Sequence, residues 1–137
     1  KAELLLPITR SVDLAQKCLA EMPTGGKTPL ADGLSTSLLT LGMLNKKDSE
    51  LEPILILVTD GRANAIEENG GDPVESALKM AEKIRKAKIT SVVIDTETDF
   101  IKLGVAKAVA KAMGATYYSL RSLSQEHILR IVRNLDV

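Results

Sequence analysis

Five consecutive aliphatic residues, Ile54 to Val58, interrupt a chain in which apolar positions otherwise recur mostly every three or four residues. The run is too short to cross a membrane and rich in branched side chains, so it predicts a strand covered on both faces, as in a parallel sheet. Before it, Ala2 to Leu6 reads as a short edge strand stopped by Pro7. Ser11 caps a predicted helix to about Glu21, with Val12, Leu14, Ala15, Cys18 and Leu19 at helical spacing. Two prolines and two glycines then break the pattern between Met22 and Pro29. Thr28 followed by Pro29 starts a second helix to about Asn45, whose inward stripe is Leu30, Leu34, Leu38 and Leu41.

The second half alternates strand and helix. Asp72, Pro73 and Glu75 form a capping-box pattern opening a helix with Val74, Ala77, Leu78, Ala81 and Ile84 on its apolar face. Its basic group, Lys79, Lys83, Arg85, Lys86 and Lys88, reads as a solvated face whose last members sit at the helix's negative end. Ile89 to Ile94 predicts a second buried strand. A helix from about Ile101, closed by Gly114, leads to a third strand over Thr116 to Leu120, and Ser124 caps a final helix carrying Ile128, Leu129, Val132 and Leu135. Alternation at these lengths predicts a single α/β domain over residues 1–137 with a mostly parallel, doubly wound sheet.

Composition narrows the function. Hydrophobic residues make up 45% of the 137, and 18 basic residues balance 18 acidic ones. A zero net charge without long basic runs argues against nucleic-acid binding by bulk electrostatics. No apolar stretch has the length of a membrane helix, and the N-terminus lacks the pattern of a secretory leader. The single cysteine, Cys18, has no partner for an internal disulfide, which predicts a buried thiol and a cytoplasmic setting. The chain begins without methionine, which is expected of a piece cut from a longer protein.

Two constellations offer chemistry. GGKTP, Gly25 to Pro29, shares GKT with a phosphate-binding loop, but Glu21 stands where the loop's first glycine belongs, and the segment follows a helix rather than a strand. A glycine turn feeding a capped helix accounts for it, and a nucleotide-binding α/β domain using GGKT is the enzymatic alternative. The second constellation is Thr28 with Asp60, the latter where the Ile54 strand ends. Carboxyl ends of strands are where ligands sit in open α/β sheets. A carboxylate and a hydroxyl are hard oxygen ligands suited to Mg²⁺, although Thr59-Asp60-Gly61 serves equally well as an ordinary turn. His127 lacks a second metal-type ligand one helical turn away and reads as a surface or cap residue. Tyr117 and Tyr118 alternate across a strand, one to pack and one to meet solvent. No nucleophile stands with a base, so no catalytic residue is assigned.

ILILVTDGRAN, preceded by PTGGKTPLADGL and followed by VVIDTE and a helix ending MGATYYSL, resembles the von Willebrand factor A (vWA) domain of magnesium- and cobalt-chelatase D-type subunits. The resemblance covers nearly the whole chain. It implies a three-layer α/β/α Rossmann-like fold and a metal-ion-dependent adhesion site holding Mg²⁺, with Thr28 at the site's threonine position and Asp60 at its aspartate position. Gly26, Gly61, Arg62, Asn64 and Glu97 are then expected on the rim, where a partner's carboxylate fills an open metal position. The implied partners are an AAA+ ATPase chelatase subunit and a large chelatase subunit, in an assembly that inserts a metal into a tetrapyrrole. A vWA module for adhesion or for an RNA-associated complex is the alternative within the family.

The departure is the family's DxSxS triplet, which is absent. The nearest lookalike, Asp32 to Ser35, lies inside the second predicted helix. The family's first strand, first helix and second strand are therefore expected to be missing, which predicts weak or lost Mg²⁺ binding. It also predicts an unpaired side to the Ile54 strand, open to self-association.

Overall fold

The structure, a computed structural model, describes residues 2–6, 9–21, 30–47, 50–61, 71–97, 104–120, 130 and 133–134. The elements in chain order are α1 (Val12–Ala20), α2 (Leu30–Lys47), β1 (Ile54–Thr59), α3 (Pro73–Lys86), β2 (Thr90–Asp95), α4 (Gly104–Met113) and β3 (Thr116–Ser119). The strands form one parallel sheet in the order β1-β2-β3, with Ile54 opposite Thr90 and Val92 opposite Thr116. This is an α/β fold, a parallel sheet flanked by helices, as the alternation of elements predicts.

Local signals set several boundaries. The Ser11 side chain accepts from the Leu14 N–H at 3.2 Å, and Asp72 accepts from Val74 N–H at 3.0 Å, so both predicted caps satisfy a first-turn donor. Glu75, the other half of the expected capping box, pairs instead along the helix with Lys79 at 3.4 Å. Gly114 closes α4 at φ +67°, a conformation open to glycine at little cost.

One face of the sheet carries the core. Ala31 and Leu34 of α2, Ala77, Ala81 and Ile84 of α3, and Val109, Ala110 and Met113 of α4 pack together on Val93, with Leu55, Leu57 and Tyr117 at the margin. α3 and α4 therefore share one face, as two consecutive crossovers of the same hand require, and α2 packs with them there. Alanines at the α3 and α4 contact let those helices approach closely, and burying Leu34 alone is worth about 1.5–3 kcal/mol.

Four expectations are corrected. Ala2 to Leu6 forms no strand: the Ala2 N–H donates to the Asp32 carboxylate at 2.6 Å rather than to a ladder, and Leu4 and Leu5 are exposed. The strand covered on both faces is β2, buried from Ser91 to Asp95, not β1, whose Ile56 and Val58 are 42% and 61% exposed. β1 lies at one end of the strand order, so nothing among the described residues pairs its outer edge. Cys18 is half-buried rather than buried, because α1 buries none of its side chains. Tyr117 and Tyr118 are both half-buried, so neither is the solvent-facing one of the pair. Lys79, Lys83, Arg85 and Lys86 of α3 and Lys88 just past its end, by contrast, are all exposed, as a solvated face should be. His127 and the start of the last helix lie outside the described residues, although residues 130, 133 and 134 are helical.

Candidate functional site

All three strands run in one direction, so their carboxyl ends converge on one edge. At the end of β1, Thr59 Oγ1 accepts the Gly61 N–H at 3.0 Å, bending the chain immediately past the strand. That bend leaves Asp60 exposed and Gly61 buried at φ +76°. A Cβ on Gly61 would stand 3.2 Å from the backbone nitrogen of Ala106, so the turn rests directly on the first turn of α4. A side chain at position 61 would crowd that contact, so the turn or the helix would have to give by a few tenths of an ångström.

At the end of β2 the chain is held by buried polar groups. The Thr96 N–H donates to the carbonyl of Thr59, the last residue of β1, at 2.9 Å, extending the ladder one residue past β2. Asp95 is 0% exposed and Glu97 is 7% exposed. One Asp95 oxygen accepts the Glu97 N–H at 2.9 Å, and the other accepts the Tyr117 hydroxyl from β3 at 2.6 Å. A buried carboxylate needs such donors, since its desolvation is otherwise costly. Burial first, and then the hydrogen bond and negative charge of Asp95, push the Tyr117 hydroxyl up to about 12, so it remains a donor throughout the neutral range. Lys107 of α4 stands with its ammonium 5.7 Å from the Tyr117 ring centroid, over the same connection.

Of the residues singled out in the sequence, Asp60, Gly61 and Glu97 fall on this one edge. Gly26, Thr28, Arg62 and Asn64 lie outside the described residues, as does the GGKT segment. Asp95 and Tyr117 are the residues that sequence reasoning missed. An aspartate closing the apolar run VVID was the available signal, because an acidic residue at the end of a fully covered strand must have donors nearby. An open cleft of about 470 Å³ lies at the opposite end of the sheet, between Leu38, Leu41, Leu51, Pro53 and Ile89, and has no part in this edge.

An exposed carboxylate at a strand end fits Mg²⁺ chemically, because that ion keeps several waters and binds through one or two carboxylates. Asp60 suits one such ligand. Among the described residues no three His, Cys, Asp or Glu side chains gather to hold a metal, so these residues do not supply a complete set. No described helix is long and apolar enough to cross a membrane.

No family model matches the chain, and no solved structure matches it significantly. An uncharacterized protein of Methanocaldococcus jannaschii is 40% identical over 139 residues, covering 100% of this chain and 78% of the relative. The magnesium-chelatase 67 kDa subunit of Heliobacterium mobile is 31% identical over 140 residues, covering 98% of this chain and 21% of that protein. The magnesium-chelatase 60 kDa subunit of Cereibacter sphaeroides is 38% identical over 122 residues, covering 87% of this chain and 21% of that protein. The chain thus spans most of the archaeal relative and about a fifth of each chelatase subunit. With its vWA-like α/β fold, the chain belongs to one family with the Methanocaldococcus protein and is homologous to a segment of magnesium-chelatase subunits.

Proposed function

We propose that this chain is a metal-dependent protein-interaction module of a magnesium- or cobalt-chelatase assembly, corresponding to the vWA region of a D-type subunit. The observation that carries the reading is the placement of Asp60 and Gly61 at the carboxyl edge of the sheet, in a chain homologous to magnesium-chelatase subunits. Asp60, with Thr28, holds Mg²⁺ directly or through water, and only weakly, since the chain carries no DxSxS triplet. Gly26, Gly61, Arg62, Asn64 and Glu97 form the rim against which an acidic side chain of the partner docks. Arg62 suits that task because a guanidinium pairs with a carboxylate bidentately. The module does no chemistry itself. Nucleotide hydrolysis belongs to the AAA+ subunit, and metal insertion to the assembly as a whole.

The test is capture of the AAA+ subunit on immobilised protein in Mg²⁺ and in chelator. Mg²⁺-dependent capture lost in Asp60→Ala supports the reading. Capture indifferent to both the ion and the substitution contradicts it.

The exposure of Ile56 and Val58 favours a further contact. β1 has no charged residue along its length, and charges are the usual protection of an outer strand. Self-association through this edge predicts a concentration-dependent dimer in sedimentation, whereas a monomer at all concentrations contradicts it.

A further inference from the structure

The ends of the three strands are joined by a chain of hydrogen bonds that begins far from Asp60. Tyr117 of β3 donates to Asp95 at 2.6 Å, diagonally across the sheet, since the residue paired with Asp95 is Ser119. The other oxygen of Asp95 accepts the Glu97 N–H at 2.9 Å and folds the chain back past β2. Inside that fold the Thr96 N–H donates to the Thr59 carbonyl at 2.9 Å, and Thr59 Oγ1 accepts the Gly61 N–H at 3.0 Å. Asp60 lies between the last two anchor points. Tyr117 also packs at the margin of the helical core, so the ring that carries the phenol is seated against buried side chains.

We infer that Asp95 and Tyr117 are positioning residues for the binding edge: their hydrogen bond fixes the turn after β2, and through the Thr96–Thr59 bond that turn fixes Asp60 and Gly61 in the geometry that receives metal and partner. The inference rests on the reading of this edge as the binding surface. It adds two residues that touch neither ligand. Asp95 offers both donors an ionised acceptor. An asparagine could still take the Glu97 N–H on its Oδ1, but it would meet the phenol only by donating its NH2 to the phenolic oxygen, which replaces a charge-assisted bond by a weaker neutral one.

The test uses Tyr117→Phe and Asp95→Asn, with Tyr118→Phe as the control, in isotope-labelled full chain. Amide exchange is followed at Thr96 and Glu97, and at Val92 and Val93 in the middle of the strand. The expected result is exchange about ten-fold faster at Thr96 and Glu97, with mid-strand amides and the Tyr118→Phe protein unchanged. The Mg²⁺ midpoint read at the Gly61 amide should weaken at least about three-fold in Tyr117→Phe and Asp95→Asn. Uniform acceleration along β2 would assign the pair to general stability and overturn the inference, as would no acceleration at Thr96 and Glu97. Faster exchange with an unchanged midpoint would overturn it too. Absence of any Mg²⁺ response in the unsubstituted protein defeats the proposed function instead, and exchange then decides by itself whether the pair holds the edge.

Discussion

Gly61 and Gly114 share a left-handed backbone, with φ of +76° and +67°, but they face different neighbours. A Cβ at Gly61 meets the Ala106 backbone nitrogen at 3.2 Å and the Cβ atoms of Ala106 and Val105 at 3.5 and 3.6 Å. A Cβ at Gly114 meets only the Arg85 side chain, with Cγ at 3.3 Å, and that side chain is exposed and can swing away. The left-handed conformation costs an alanine about 1–2 kcal/mol at either site. The loss of unfolded-state freedom returns about 0.4–1 kcal/mol. Gly114→Ala should therefore cost about 0–1.6 kcal/mol. Gly61→Ala carries a further crowding cost of about 1–3 kcal/mol, because the obstructing atoms belong to a helix backbone packed into the core. Its expected net loss is about 1–4.6 kcal/mol. Urea denaturation followed by circular dichroism measures both, and the comparison holds where the denaturant slope is unchanged. Equal losses at the two glycines would refute the claim that the turn after β1 is seated against α4. A stabilised Gly61→Ala protein would refute the backbone assignment itself.

Leu34→Ala should destabilise by about 2–5 kcal/mol, since the side chain is fully buried, while Leu39→Ala on the exposed side of the same helix should change stability by less than about 0.5 kcal/mol. Similar losses for the two in thermal or urea denaturation would contradict the assignment of the inner stripe of α2. The raised Tyr117 hydroxyl predicts a pH effect with a definite sign. The folded protein holds that proton more tightly than the unfolded chain, so its contribution is complete below about pH 10 and is lost as pH rises towards 12. Tyr117→Phe should lack that decline relative to wild type, and parallel pH profiles for the two proteins would argue against a donating phenol. Lys88 adopts φ +57° without being a glycine, so Lys88→Gly should leave stability unchanged or raise it by up to about 1 kcal/mol, whereas Lys83→Gly inside α3 should lower it by about 1 kcal/mol.

Features decided within a few residues were legible in the sequence. Ser11, Asp72 with Pro73, and Gly114 mark helix ends because caps satisfy nearby backbone groups or relieve local strain, and each stands where expected. The apolar stripes of α2 and α3 were legible for the same reason, since helical spacing fixes which side chains share a face. Features decided by distant partners were not. Ala2 to Leu6 has the apolar content of a strand, but a strand needs a ladder, and Asp32, thirty positions away, accepts the Ala2 N–H instead. β1 and β2 are both apolar runs, and only their places in the sheet make β2 the covered one. At the candidate site, Asp60 and Gly61 were readable from the turn after an apolar strand. The Asp95–Tyr117 bond spans 22 positions, and no local pattern pairs them.

The central claim is that the carboxyl edge around Asp60 binds Mg²⁺ to engage a partner, and a Mg²⁺ titration of isotope-labelled protein tests it most directly. Backbone amides of Thr28, Asp60 and Gly61 are followed in the wild-type and Asp60→Ala proteins. Saturable shifts confined to those amides and lost in Asp60→Ala are the predicted result. Absence of a saturable response, or one that survives the loss of the Asp60 carboxylate, would contradict it.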